Sequence, residues 1–186
     1  MTAAVFALGL WIWSEYFRGI PHLGQQGVLK NFNVVVIEPH QAKYRVIDRR
    51  YYSPMRRTIH AASPVVDSFN DLAYVSNIDV LLTRQSLSTV ELKKAKFDQK
   101  RRCYQILSDG LTTAEQQKIQ ENTLNLSVIA TSESAADQIR RLKGGQSILL
   151  SGAWVEVKYA KNAHNFIVGF GSPLSGNCRL FQVDDI

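Results

Sequence analysis

At 186 residues and 45% hydrophobic, the chain can bury one sizeable core, and its length favours one domain over two. Charged residues make up 20% and no low-complexity tract is present, so disorder is not the default reading. Lys and Arg outnumber Asp and Glu by 22 to 16, and the net charge of +6 fits a polyanionic partner: nucleic acid, anionic lipid or an acidic protein face.

Residues 2–14, TAAVFALGLWIWS, carry no charge before Glu15. The run is shorter than the ~20 apolar residues of an ideal spanning helix. Trp11, Trp13, Tyr16 and Phe17 followed by Arg18 fit an interfacial belt. A signal peptide fits less well, because no basic region precedes the run and no A-x-A-like cleavage site follows it. A buried core helix is the plainer alternative for a stretch of this length. Residues 1–18 are therefore read as a membrane-anchor helix, single-pass in a bacterial inner membrane. Arg18 and Lys30 follow the segment, which by the positive-inside rule would leave the domain cytoplasmic.

Residues 19–31 hold three glycines and a proline and read as a linker. The domain proper spans 32–186. Val34–Ile37 and Tyr44–Ile47 read as short strands separated by a turn at Pro39. Ser63-Pro64 opens an expected helix, with Val65, Val66, Phe69, Leu72 and Ala73 at helical spacing. Ser88–Phe97 and Arg101–Leu107 read as a hairpin. Thr112-Thr113-Ala114-Glu115 matches a capping box, which predicts a helix over 113–121. Leu124–Ala130 is a strand, and Ser132–Lys143 a helix stopped by Gly144-Gly145. Three strands, SILLSGAWVEVKY, NFIVGFG and CRLFQV, close the chain as an antiparallel meander. The fold class is thus a β-rich α+β domain, and the G-x-x-I-x-L-x-G-x-W-V pattern is compatible with an OB-like barrel.

The segment from Asn125 to Val157 resembles a group of proteobacterial single-span or secreted proteins with no assigned activity. Their pattern runs N-M-H-L-I-P-A, an alanine-rich helix, G-D-x-V-x-L-x-G-Y-L-V and a terminal G-A-C-E-L. Asn125, Val128 and Ile129 stand in the first block, and Gly145, Ile148, Leu150, Gly152 and Val155 in the second. Gly176 and Cys178 stand in the third, while Asn70-Asp71-Leu72-Ala73 and Arg102-Cys103-Tyr104 match upstream blocks. Ser127, Ala130, Gln146 and Phe166 depart from the pattern, so no role for its histidine or aspartate transfers here. The resemblance implies fold and anchoring, with the domain on the periplasmic side, opposite to the local charge reading.

Chemistry-bearing constellations are sparse. The two cysteines, Cys103 and Cys178, form a disulfide in an oxidising compartment or stay as buried thiols. His22, His40, His60 and His164 lack HxH or HExxH spacing, so no metal or cofactor is expected. Ser151-Gly152 lacks a nucleophile elbow, and Asp184 and Asp185 sit in the tail. Residues 169–177 are glycine-rich but match no phosphate-binding fingerprint. Three basic clusters stand out: Arg49, Arg50, Arg56, Arg57 beside Tyr51 and Tyr52; Lys100, Arg101, Arg102 after Lys93, Lys94 and Lys96; and Arg140, Arg141, Lys143. Basic residues interleaved with aromatics suit a polyanion or partner surface. The sequence reading is a membrane-anchored, non-enzymatic interaction module of a cell-envelope assembly, with other membrane or envelope proteins as partners. A basic OB-like nucleic-acid binder and an envelope hydrolase are the alternatives.

Overall fold

The computed structural model describes residues 4–9, 19–53, 71–107, 110–160 and 164–186. Residues 4–9 are helical, and residues 10–18 of the expected anchor lie outside the described residues. Among those described, no helix is long and apolar enough to cross a membrane. The expected helix from Ser63 lies outside them as far as residue 70, and Asp71–Tyr74 is a single 3-10 turn.

Strand β1 runs unbroken from Phe32 to Tyr51. The two short strands expected here are one, because Pro39 does not turn the chain but sits in the ladder opposite Ala153. It follows a register shift between Val36 and Glu38, and bulges and edges are where a ladder tolerates a residue without an N–H. A strand this long serves two neighbours. Residues 32–45 pair with β6 (Ser147–Tyr159), and residues 44–51 with β2 (Ile78–Arg84).

With β5 (Thr123–Ala130) and β7 (Cys178–Asp185), these strands close a five-stranded barrel in the order β1-β2-β5-β7-β6. All its pairings are antiparallel except β5 with β7. Alternation places Ile78, Val80 and Leu82 inside with Leu126, Val128, Phe181, Val183, Ile148 and Leu150. Helix α3 (Glu133–Arg141), capped by Ser132, connects β5 to β6 and packs Ala135, Ala136 and Ile139 into this core.

Two expectations for the ends of the domain need correcting. The closing meander is not formed, because residues 165–171 carry isolated bridges, Asn165 with Lys158 among them, rather than a strand, and Gly169 and Gly171 turn the chain with φ of 71° and 76°. β7 therefore lands between β6 and β5 rather than beside a third hairpin strand. Residues 19–31 are not a free linker either. Ile20 is buried in the barrel core, Leu23 N donates to Ala130 O, and Asn77 Nδ2 donates to Gly19 O at 2.8 Å.

Gly152 lets β6 and β7 approach. A Cβ there would lie 1.9 Å from the Gln182 carbonyl oxygen and 2.8 Å from a Phe181 ring carbon. Overpacking a built core costs about 1–3 kcal/mol, so Gly152→Ala is expected to lower the unfolding free energy by an amount in that range, read by circular dichroism as a lower urea midpoint.

Between β2 and β5 the chain inserts helix α1 (Thr89–Lys94), the hairpin of β3 (Lys96–Lys100) and β4 (Cys103–Leu107), and helix α2 (Thr113–Asn122). The first hairpin arm expected from Ser88 is helical as far as Lys94. Ser88 and Glu91 form a capping box that outweighs the apolar alternation of Val90 and Leu92. The two helices are laced reciprocally: Lys118 pairs with Glu91 at 2.6 Å, and Lys94 with Glu115 at 3.0 Å. Lys118 and the Ser88 cap hold the Glu91 carboxyl down to about 2, and the Thr112 cap with Lys94 does the same for Glu115. Both folded values are depressed, so the contribution is complete above the ordinary carboxylate range and is lost as pH falls from there towards 2. Amide exchange in residues 89–94 and 113–122 is expected to rise over that window before the barrel strands respond.

Candidate functional site

The β3–β4 hairpin lies over the outer face of β2 and β5, and the residues that hold it there form the most elaborate polar group in the described structure. Arg102 and Asp79 are both fully buried, with Arg102 Nη1 donating to Asp79 Oδ1 at 3.0 Å. Arg102 Nη2 donates to Ser76 O at 2.7 Å, and its guanidinium carbon lies 3.8 Å from the centre of the Tyr52 ring. Asp79 also accepts from Ser127 Oγ at 2.7 Å and from Asn125 Nδ2 at 2.9 Å. Gln99 Nε2 completes the chain by donating to Asn125 Oδ1 at 2.7 Å. Burial pushes the Tyr52 phenol up, and the neighbouring Asp79 carboxylate adds to it. A buried charge is costly unless it is paired and hydrogen-bonded, and here Arg102, Asn125 and Ser127 each donate one hydrogen bond to the Asp79 carboxylate.

The same hairpin is fixed covalently. Cys103, next to Arg102, is joined to Cys178 at the start of β7 in a disulfide spanning 75 residues, with the Cα atoms 5.2 Å apart. Tyr104 follows, fully buried, its hydroxyl 2.6 Å from Thr123 Oγ1. Three successive residues of β4 and its turn thus each anchor the hairpin to the barrel wall by different chemistry.

The turn itself is unusual. Arg101 and Arg102 form the two-residue connection and both lie in the left-handed region, at φ 53° and 61°. Hairpin turns of this kind favour Asn-Gly, and a left-handed L-residue costs about 1–2 kcal/mol. The left-handed geometry of Arg102 turns its side chain towards the buried pair with Asp79. Arg101 is exposed and makes no ion pair or hydrogen bond among the described residues. It lines a cleft of 160 Å³ with Lys100, Tyr104, Gln105 and residues 170–173 of the β6–β7 connection. Phe170, on the other wall, is 57% exposed.

The structure therefore divides the basic residues picked out in the sequence. Lys100 and Arg101 share the exposed cleft. Arg102, grouped with them by adjacency, is no surface residue: the turn geometry sends its side chain inward to Asp79, where no polyanion can reach it. Arg50 is tied to the hairpin, donating to Gln99 O and lying 3.8 Å from Asp98. Arg49 Nη1 donates to Arg140 O at 2.7 Å, on the α3 side of the barrel. Arg56 and Arg57 lie outside the described residues. Asp79, Gln99 and Phe170 were not legible as site residues. Asp79 stands alone in an apolar strand, which signals a buried cation without saying which of 22 supplies it.

Two larger open troughs also mark the described surface. One of 640 Å³ lies between α2 and residues 173–177, and one of 530 Å³ lies under residues 19–32. Side-chain amides and apolar residues line both, Leu174 the first and Ile20, Val28, Phe32 and Tyr74 the second, and neither brings a pair of titratable groups together. Among the described residues no cluster of His, Cys, Asp and Glu could hold a metal ion. The hydrolase reading gains no support from this surface. Comparison with protein-family models, with curated proteins and with solved structures found no match.

Proposed function

We propose that the chain is a membrane-tethered module of an oxidising, extracytoplasmic compartment, where it docks a protein partner of the cell envelope and performs no catalysis. The observation that carries this reading is the hairpin clamped over β2 and β5 by the Cys103–Cys178 disulfide and the Arg102–Asp79 pair. Disulfides persist in oxidising compartments, which favours the periplasmic side over the cytoplasmic one implied by Arg18 and Lys30. The barrel is best read as OB-like: five strands, a long first strand shared by two neighbours, and a helix between its third and fourth strands. Barrels of that class present their second and third strands to an oligonucleotide or oligosaccharide. Here those strands are β2 and β5, and the chain's own hairpin occupies them. What stays open is the cleft at the hairpin turn.

That cleft suits one side chain rather than a polymer. Ligand pockets for drug-sized molecules run to roughly 300–1,000 Å³, well above its volume. Lys100 and Arg101 would take a carboxylate, and Phe170 an adjacent apolar group. A strained residue with no structural partner is what a functional surface retains. Arg101→Gly should therefore raise stability by about 1 kcal/mol through relief of the left-handed strain, read as a higher urea midpoint. The same change should abolish a crosslink formed in native membranes by a photoreactive residue placed at Phe170. Charge reversal at Lys100 should abolish that crosslink too. A crosslink indifferent to both changes, or none at all, counts against the reading.

Lys100 and Arg101 beside an exposed aromatic also favour a second reading, a single-stranded nucleic-acid binder that uses the hairpin rim. Salt-dependent binding of an oligonucleotide, lost on charge removal at Lys100 and Arg101, would replace the first reading by this one.

A further inference from the structure

The barrel has a second end, opposite α3, where β2 finishes and β5 and β7 begin. Three aromatic side chains and one histidine close the core there. His40 stacks on Trp154 with ring centres 5.0 Å apart, meets Phe181 edge-on at 6.0 Å, and its Nε2 lies 2.9 Å from the Tyr44 hydroxyl. Trp154 and Phe181 pack at 4.9 Å, and Gly152, opposite His40 in the ladder, leaves room for the Phe181 ring. Two arginines rim this aromatic floor. Arg179 lays its guanidinium 4.1 Å from the Trp154 ring, and Arg84 stands opposite Tyr44 in the β1–β2 register. Both arginines are exposed, and neither makes an ion pair among the described residues.

We infer that this end of the barrel is a binding site for a small oxyanion of the phosphate class, held between Arg179 and Arg84 above the His40–Trp154 floor. Stacking on Trp154 restrains the Arg179 fork, so its outer N–H groups are preorganised for two oxygens of one anion. Arg84, on β2 beside the strand that carries His40 and Tyr44, supplies the second charge. Burial lowers His40, with Arg179 and Arg84 adding to the effect and Glu38, two residues away on β1, opposing it. The imidazole is therefore a reporter already positioned inside the field of the site. An anion that neutralises the two guanidiniums removes part of that field, so His40 must titrate at higher pH when the site is filled. The inference is independent of the partner cleft, which lies on a different face and uses other residues.

The test is a nuclear magnetic resonance titration of the full-length chain in non-ionic detergent, observing the His40 imidazole and the Trp154 indole. Inorganic phosphate represents a free or monoester phosphate, dihexanoylphosphatidylglycerol a lipid headgroup, and sodium chloride at matched ionic strength is the reference. Phosphate is expected to move both signals saturably and to raise the His40 titration midpoint. Arg179→Gln and Arg84→Gln should each weaken the response about tenfold or more while the remaining spectrum stays unchanged. A response to the lipid alone would keep the site and identify a headgroup as its ligand. Shifts no larger than those in chloride, or shifts that survive both arginine changes, would overturn the assignment.

Discussion

Arg102→Met is expected to cost about 3–5 kcal/mol of unfolding free energy, read as a fall in the urea midpoint with the slope unchanged. The magnitude comes from what is left behind rather than from what is removed. Asp79 has no exposed atoms, and with Arg102 gone it keeps only the neutral donors of Ser127 and Asn125. A carboxylate without a counter-ion in that position must stay charged at a desolvation cost or take up a proton. Adding Asp79→Leu to the variant should return part of the loss, because apolar replacements of buried pairs are often close to neutral. Recovery would be incomplete, since Ser127 Oγ and Ser76 O lose their partners in the double variant and Asn125 Nδ2 keeps only the backbone carbonyl of residue 102. A single variant within about 1 kcal/mol of the parent would show that the pair does not hold the hairpin, as exposed pairs seldom contribute more than that.

The barrel was legible in the sequence only as separate pieces. β6 and β5 announce themselves by β-branched alternation, and α3 by its serine cap and alanine face, because those signals act within one element. Closure, by contrast, depends on β5 lying parallel to β7, a contact between Asn125 and Cys178 that no local pattern encodes. Pro39 misled for the same reason: its effect depends on which side of β1 lacks a ladder bond. The capping box at Ser88 was readable but lost to the alternation of Val90 and Leu92, which lie on a helix too short to bury either fully.

The candidate site was half legible. Adjacency grouped Lys100, Arg101 and Arg102 as one basic run, whereas backbone handedness separates them. Consecutive left-handed residues at the turn send the Arg102 side chain into the wall and leave Arg101 outside. Asn125, Ser127 and Arg102, far apart in the sequence, meet Asp79 in one buried network. Together they hold the hairpin against the barrel wall, and no local pattern in the sequence brings them together.

Replacing Cys103 and Cys178 together by alanine is expected to cost about 2–5 kcal/mol, the range for removing a native disulfide. A 75-residue separation puts the loss towards the upper part of that range in the chain-entropy account. The distribution of the loss distinguishes a clamp from a general staple. Cys103 belongs to the hairpin and Cys178 to the barrel, so without the bond the hairpin is held by the Arg102 pair, Tyr104 and the small cluster with Leu81. Amide exchange in residues 96–107 should then rise well before that of β1 and β6, whose ladder runs over residues 32–45. Arg102 and Cys103 are neighbours in the chain and fix the same turn, so their losses should not add. If either clamp alone keeps the hairpin seated, removing both should cost more than the sum. If both are needed, the second removal should cost little. Uniform loss of protection across the barrel and the hairpin would show instead that the insertion and the barrel fold as one cooperative unit, and that the cleft at Arg101 cannot open without the whole domain.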